Sequence, residues 1–209
     1  MRLLLAVLLL AAVPRIATGQ GFNVLHPEGS YTQAATGMIF PEMVDQFRRV
    51  NVIRYKSDGT DESAGYSDAT PLHEINMTVY VFPSPSILSI GSPQSIIDDT
   101  RRQLCQGQYE GVQREVMGAH RDAVPVEKKD ASRTQDGVTY TGHFASFDLT
   151  NARFFGRADV ASRSEAYLYC YVGGKWSIEY RVDYPRDFDA SGLISGFINN
   201  LKWTIPPEN

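Results

Sequence analysis

An α+β fold built on antiparallel strands is what this sequence predicts, and three observations predict it. Arg163–Val172 and Lys175–Tyr184 are two β-rich runs joined by Gly173-Gly174, a two-residue hairpin loop. Ile75–Phe82 alternates with apolar residues on both faces, as a central, covered strand does. Leu193, Ile194, Phe197, Ile198 and Leu201 form a helical stripe that must lie on a sheet.

The elements follow in order. Residues 20–37 are polar and aperiodic, with Pro27, Gly29 and Gly37, and read as a partly irregular leader. Met38-Ile39-Phe40-Pro41 is a short entry strand stopped by proline. Gln46–Tyr55 is a strand, Ser57-Asp58-Gly59 a hairpin turn, and Asp61–Ser67 the returning strand. In Ile75–Phe82, Ile75, Met77, Val79 and Val81 face one way; Thr78, Tyr80 and Phe82 face the other. Ser92-Pro93 starts a helix, serine as cap and proline at the first helical position, running to about Met117 with Gly118 as its stop. Gly107 and Gly111 weaken it by about 1 kcal/mol each relative to alanine.

Val124–Lys128 is a short strand. Asp136-Gly137 turns the chain into Val138–Phe147. The Gly-Gly loop then sets a register: Tyr171 opposite Trp176, Tyr169 opposite Ile178, Tyr167 opposite Tyr180, all on one face. Leu168, Cys170 and Val172 share the other face with Ser177, Glu179 and Arg181. Asp189 caps the last helix. Neither a repeat nor a linker interrupts residues 38–205, which read as one domain, followed by a tail at 206–209.

This order resembles the PsbP-like (Mog-like) fold. The matching stretches are Thr78-Val79-Tyr80-Val81-Phe82-Pro83, Gly91-Ser92-Pro93, Asp136-Gly137-Val138-Thr139-Tyr140, the Gly-Gly hairpin and the closing helix. The resemblance covers most of Met38 to Trp203. It implies a central antiparallel sheet with helices on both faces, and no single activity, because that fold hosts several. The stretch Trp176–Pro185 is also similar to small secreted bacterial proteins of unassigned role. No functional residue transfers from either.

Composition and the N-terminus bound the function. The 209-residue chain is 43% hydrophobic and 21% charged, with a formal charge of −4. Arg2, the apolar run Leu3–Val13, Pro14 and the small residues Ala17-Thr18-Gly19 predict a secretory signal peptide over 1–19, cleaved between Gly19 and Gln20. The run is about half a membrane span. Cleavage removes Arg2 and Arg15 and no acid, leaving about −6. The basic residues occur as isolated pairs, Arg48-Arg49, Arg101-Arg102 and Lys128-Lys129, which argues against a nucleic-acid footprint. The expected mature chain is secreted or periplasmic, soluble, without stable membrane insertion and without a cofactor. Cys105 and Cys170 either pair in an oxidising compartment or stay buried as free thiols.

Given the implied PsbP-like arrangement, the pairing becomes specific. If the last helix covers the aromatic face of the hairpin, the Ser92 helix covers the face that carries Cys170. Cys105 lies on the apolar side of that helix, eight residues after Ile97. A bridge would close a loop of about 65 residues, roughly 4 kcal/mol in the loop-entropy model.

The remaining chemistry is weak. His26, His73, His120 and His143 lack metal-ligand spacing. His143 reads as a half-buried strand residue before a general base. Asp58, Asp61 and Glu62 fit a charged turn better than a calcium loop. Asp98-Asp99 suit the first turns of a helix. Glu179 and Arg181 read as an exposed strand pair worth little. Asn76-Met77-Thr78 is a glycosylation sequon at the start of a buried strand, expected unused. Neither a Gly-x-Ser-x-Gly elbow nor a phosphate or dinucleotide loop is present. Tyr167, Tyr169, Tyr171, Trp176 and Tyr180 form either a ligand platform or the core beneath the last helix; the helix's own need for a partner favours core. The leading expectation is a non-catalytic binding or accessory protein of the cell envelope, its partner an envelope protein or a small apolar ligand. The rival is a secreted hydrolase whose site gathers distant residues around His143.

Overall fold

The computed structural model describes residues 22–68, 74–88, 90–154 and 157–206. The expected signal peptide, its Gly19–Gln20 junction and His73 lie outside the described residues. One antiparallel sheet dominates. Its strands are β1 (Asn23–Leu25), β4 (Met43–Val44), β5 (Phe47–Arg54), β6 (Glu62–Asp68), β7 (Asn76–Pro83), β8 (Val124–Gln135), β9 (Val138–Phe154), β10 (Arg157–Val172) and β11 (Trp176–Pro185). The order is β1-β5-β6-β7-β11-β10-β9-β8, with β4 pairing β5. A separate ribbon joins β2 (Tyr31–Thr32) to β3 (Ile39–Phe40). The helices are α1 (Gln94–Ala119) and α2 (Ser191–Asn200).

The expected α+β sheet with helices on both faces is corrected. Among the described residues the chain is mostly β, with two helices and one large antiparallel sheet. The sequence understates the strands because β8 is an edge strand. Glu127, Lys128, Lys129 and Asp130 are exposed on it, so it needs no apolar alternation to continue. The expected Val124–Lys128 is therefore a 12-residue strand, and its partner β9 runs for 17 residues.

The leader is also more ordered than its composition suggests. β1 pairs with β5. Gln33 is fully buried and donates to the carbonyls of Gly59 and Val81. Strands of two or three residues leave no periodic signal, and side-chain bonds do the anchoring.

Ile75, just before β7, and Met77, Val79 and Val81 within it are all at most 1% exposed, and the strand is central, between β6 and β11. The β10–β11 hairpin keeps the expected pairs Tyr169–Ile178 and Tyr167–Tyr180. At the turn, however, Val172 and not Tyr171 stands opposite Trp176, because a register shift falls between Tyr169 and Val172. Tyr171 adopts φ 57° there. Gly173 is also left-handed, and a Cβ on it would come within 2.4 Å of the Pro206 carbonyl oxygen. No other residue fits that approach.

The helix starts fall one residue later than expected, and α1 runs through the expected stop Gly118 to Ala119, where the His120 amide closes it on the Val116 carbonyl. Pro93 itself occupies the cap of α1, its carbonyl accepting from the amides of Ile96 and Ile97. Asp189 precedes the cap of α2, and its carboxylate accepts from the Ser191 amide and hydroxyl.

Two clusters form the core. The larger joins Phe40, Phe47, Tyr66, Val79, Tyr169, Tyr180 and Trp203 to Ile194, Phe197 and Ile198 of α2. The smaller joins Tyr109, Val112 and Val116 of α1 to Ala145, Phe147, Leu149, Ala166 and Leu168.

Candidate functional site

α1 is fully buried only toward its C-terminal part, while Ile97, Arg101 and Leu104 in its first eleven residues are half-buried. Its buried residues are Cys105, Tyr109, Val112, Gln113 and Val116; none lies in the first eleven residues, Gln94 to Leu104. That first stretch overhangs the sheet. Two ties hold it where it leaves the core. The sulfurs of Cys105 and Cys170 lie 2.08 Å apart, joining α1 to β10. The Arg101 guanidinium lies 5.2 Å from the Tyr171 ring centroid and donates to the Gly174 carbonyl. The bulge that turns Tyr171 off the expected aromatic face is what makes this second tie.

Beneath the overhang is a groove of about 690 Å³. The Cys105–Cys170 pair, Arg101, Tyr171, Thr141 and His143 line it. Its floor is tight: a Cβ on Gly142 would come within 2.3 Å of the Leu168 carbonyl oxygen. Its charges cancel, Arg101 and Arg102 against Asp98 and Asp130. Arg102 is moreover paired with Asp99.

His143 stands on β9 with its ring 4.8 Å from that of Tyr109, nearly parallel. Its Nδ1 is 3.9 Å from the exposed carboxylate of Asp130. Burial lowers its pKa below the usual histidine value, against the pull of Asp130. Tyr109 is itself fixed by donating to the Phe144 carbonyl at 2.7 Å. Among the described residues no hydroxyl or thiol hydrogen-bonds to His143. The imidazole thus has a stacking partner in Tyr109 and a carboxylate neighbour in Asp130.

The other expected candidates are dispersed. His26 contacts the Val50 carbonyl, and the His120 amide closes α1 on Val116. Among the described residues no group of three or more His, Cys, Asp or Glu could hold a metal ion. Asp58 accepts from the Thr60 amide and hydroxyl, which lower its pKa. Glu62, fully buried, is taken up by Arg54 and Tyr31. The turn reading therefore holds for Asp58, whereas Glu62 is corrected to a buried strand residue at the start of β6, its charge met by Arg54.

Two expectations change. Glu179 and Arg181 are no surface pair: Glu179 is 3% exposed and ion-paired to Arg181, which also reaches Glu115 of α1 and lies over the Tyr80 ring. Burial pushes the Glu179 carboxyl up in spite of Arg181. On the aromatic face, Tyr169 and Tyr180 are closed in by Trp203 and Phe197, with Trp203 Nε1 donating to the Tyr180 hydroxyl. Tyr169, Trp176 and Tyr180 are therefore buried, as the helix's need for a partner required, while Tyr167 and Tyr171 are half-buried and each lines a cleft.

Sequence reasoning missed the groove. The available signal was the poverty of apolar residues in α1 before Leu104, which marks a helix segment with little to pack on. No protein-family model matches the chain, and no curated protein matches it.

Proposed function

We propose that the chain is a secreted or periplasmic, non-catalytic binding protein of the cell envelope, delivered by a signal peptide over 1–19, that holds a small apolar ligand under the overhanging half of α1. The groove carries this reading. Its volume lies within the usual range for small-molecule sites, roughly 300–1,000 Å³. Its formal charges balance, so no ionic group is demanded of the occupant. The disulfide-distance pair in its wall is compatible with an oxidising compartment. Among the described residues no helix is long and apolar enough to cross a membrane. The likeness in element order to the PsbP-like fold belongs to the same proposal and carries no activity.

The test is titration of the mature protein with N-phenyl-1-naphthylamine, an apolar fluorophore. Thr141 is exposed at the groove and outside the core, so Thr141→Trp fills the space without disturbing packing. Saturable one-to-one binding, weakened at least tenfold by that substitution at unchanged Tm, is expected. Absence of saturable binding, or binding indifferent to Thr141→Trp, overturns the groove as the site.

A further inference from the structure

A second cleft, of about 280 Å³, opens between α2 and the strands β8, β9 and β10. Strand register places two rows of side chains along it. Lys129, Phe144 and Tyr167 stand directly opposite one another across the three strands. Two residues along, on the same face by the period of a strand, Glu127, Ser146 and Glu165 do the same. An aromatic row thus runs beside a carboxylate row. The Phe144 and Tyr167 ring centroids are 4.8 Å apart. Glu165 is held by two phenols: Tyr167 donates to one oxygen at 2.8 Å and Tyr184 to the other at 2.6 Å. Burial and the adjacent Glu165 raise both phenols well above the usual tyrosine range, so they remain donors.

The chain already places an ammonium group here. Lys129 Nζ lies 4.8 Å from the Phe144 ring centroid and bonds to both Glu127 oxygens. A cation over an aromatic face with carboxylates beside it is the usual chemistry of ammonium recognition. The Lys129 side chain is more than half exposed, and so is free to swing out to water. Without it the lining among the described residues has two carboxylates, three aromatic side chains (Phe144, Tyr167 and Tyr169) and no cation; Arg163, two residues before Glu165 on β10, is ion-paired to Asp148.

We propose that this cleft is a binding site for a small alkylammonium ion, distinct from the α1 groove, and that Lys129 occupies it as an internal competitor. The experiment follows amide shifts by NMR during titration with tetramethylammonium. tert-Butanol serves as a neutral probe of similar shape. Tetramethylammonium is expected to bind at the β8–β10 face, at least tenfold more tightly in Lys129→Ala and at least tenfold more weakly in Glu165→Gln. Should Glu165→Gln unfold, Glu127→Gln at the exposed carboxylate gives the same loss of charge. Equal shifts with tert-butanol, affinity unchanged by Lys129→Ala, or no saturable shift in that variant would each overturn the site.

Discussion

The two helices are fastened to the sheet in different ways. α2 has 10 residues and puts Ile194, Phe197 and Ile198 into the larger cluster. Phe197 meets Phe47, Tyr66 and Tyr180 edge-on at 5.3, 5.0 and 6.4 Å. Its C-terminus, where carbonyls lack partners, receives a cation: Arg133, itself 3% exposed, donates to the Leu201 carbonyl at 2.6 Å and lies 4.1 Å from the Trp203 ring centroid. α1 has 26 residues, yet its apolar anchor in the smaller cluster is Tyr109, Val112 and Val116. The rest of its attachment is covalent or polar: the Cys105–Cys170 link, the Tyr109 hydrogen bond and the Arg181 bond to Glu115. At roughly 1.5–3 kcal/mol per buried apolar side chain, a short, densely buried helix needs no staple. A long helix with half its length unburied does, and it leaves a groove under the unburied half.

The largest effect should come from the apolar side of this comparison. Phe197→Ala removes a fully buried ring from three edge-on contacts and should cost about 3–5 kcal/mol, read as a lowered urea midpoint. A loss below 1 kcal/mol would mean that α2 is not held by its cluster. Next comes the covalent tie. Replacing both Cys105 and Cys170 with Ser should cost about 2–4 kcal/mol, for a bridge across 65 residues. The location of the effect discriminates more than its size. Hydrogen exchange should rise through Gln94–Leu104 while α2 stays protected. Equal deprotection of both helices, or two alkylated cysteines in the untreated mature protein, would break the comparison.

How much was legible before the structure follows the same divide. α2 was readable because Leu193, Ile194, Phe197, Ile198 and Leu201 repeat at the helical period, and burial on one face demands that period. The β7 alternation and the Tyr169–Ile178 and Tyr167–Tyr180 pairs were readable for the equivalent reason in strands. The extent of β8 was not, since an exposed edge places no constraint on side-chain polarity. Tyr171 was misplaced because a bulge of one residue is invisible to a two-period pattern. Glu179 and Arg181 looked like surface residues because burial by a distant helix leaves no local trace. Arg133, now seen to close α2, gave no signal, for the partners through which it does so, Leu201 and Trp203, lie 68 and 70 residues further on. Cys105 and Cys170 were named as partners only once an architecture was assumed. The groove is assembled from α1, β8, β9 and β10, and its residue types are ordinary ones.

The smallest predicted effect sharpens the contrast through pH. Burial lowers the His143 pKa, so the folded state favours the neutral imidazole. Unfolded histidine titrates near its ordinary value of about 6.5. Just below that value the unfolded chain binds more protons at this site than the folded one, so stability falls as pH drops and recovers as it rises. The change starts at the ordinary value and is complete below the depressed one. Asp130, at 3.9 Å, works against it by favouring the imidazolium. His143→Gln keeps a polar side chain beside Tyr109 but removes the titration. Between pH 7.5 and 5.5 the wild-type urea midpoint should therefore fall further than that of His143→Gln, and Asp130→Asn should fall further still. The loss should register in α1 amides around Tyr109, because His143 stacks there, and not in α2. Identical pH profiles for wild type and His143→Gln would show that the ring's burial does not couple its protonation to folding, and that the polar attachment of α1 is no more pH-sensitive than the apolar attachment of α2.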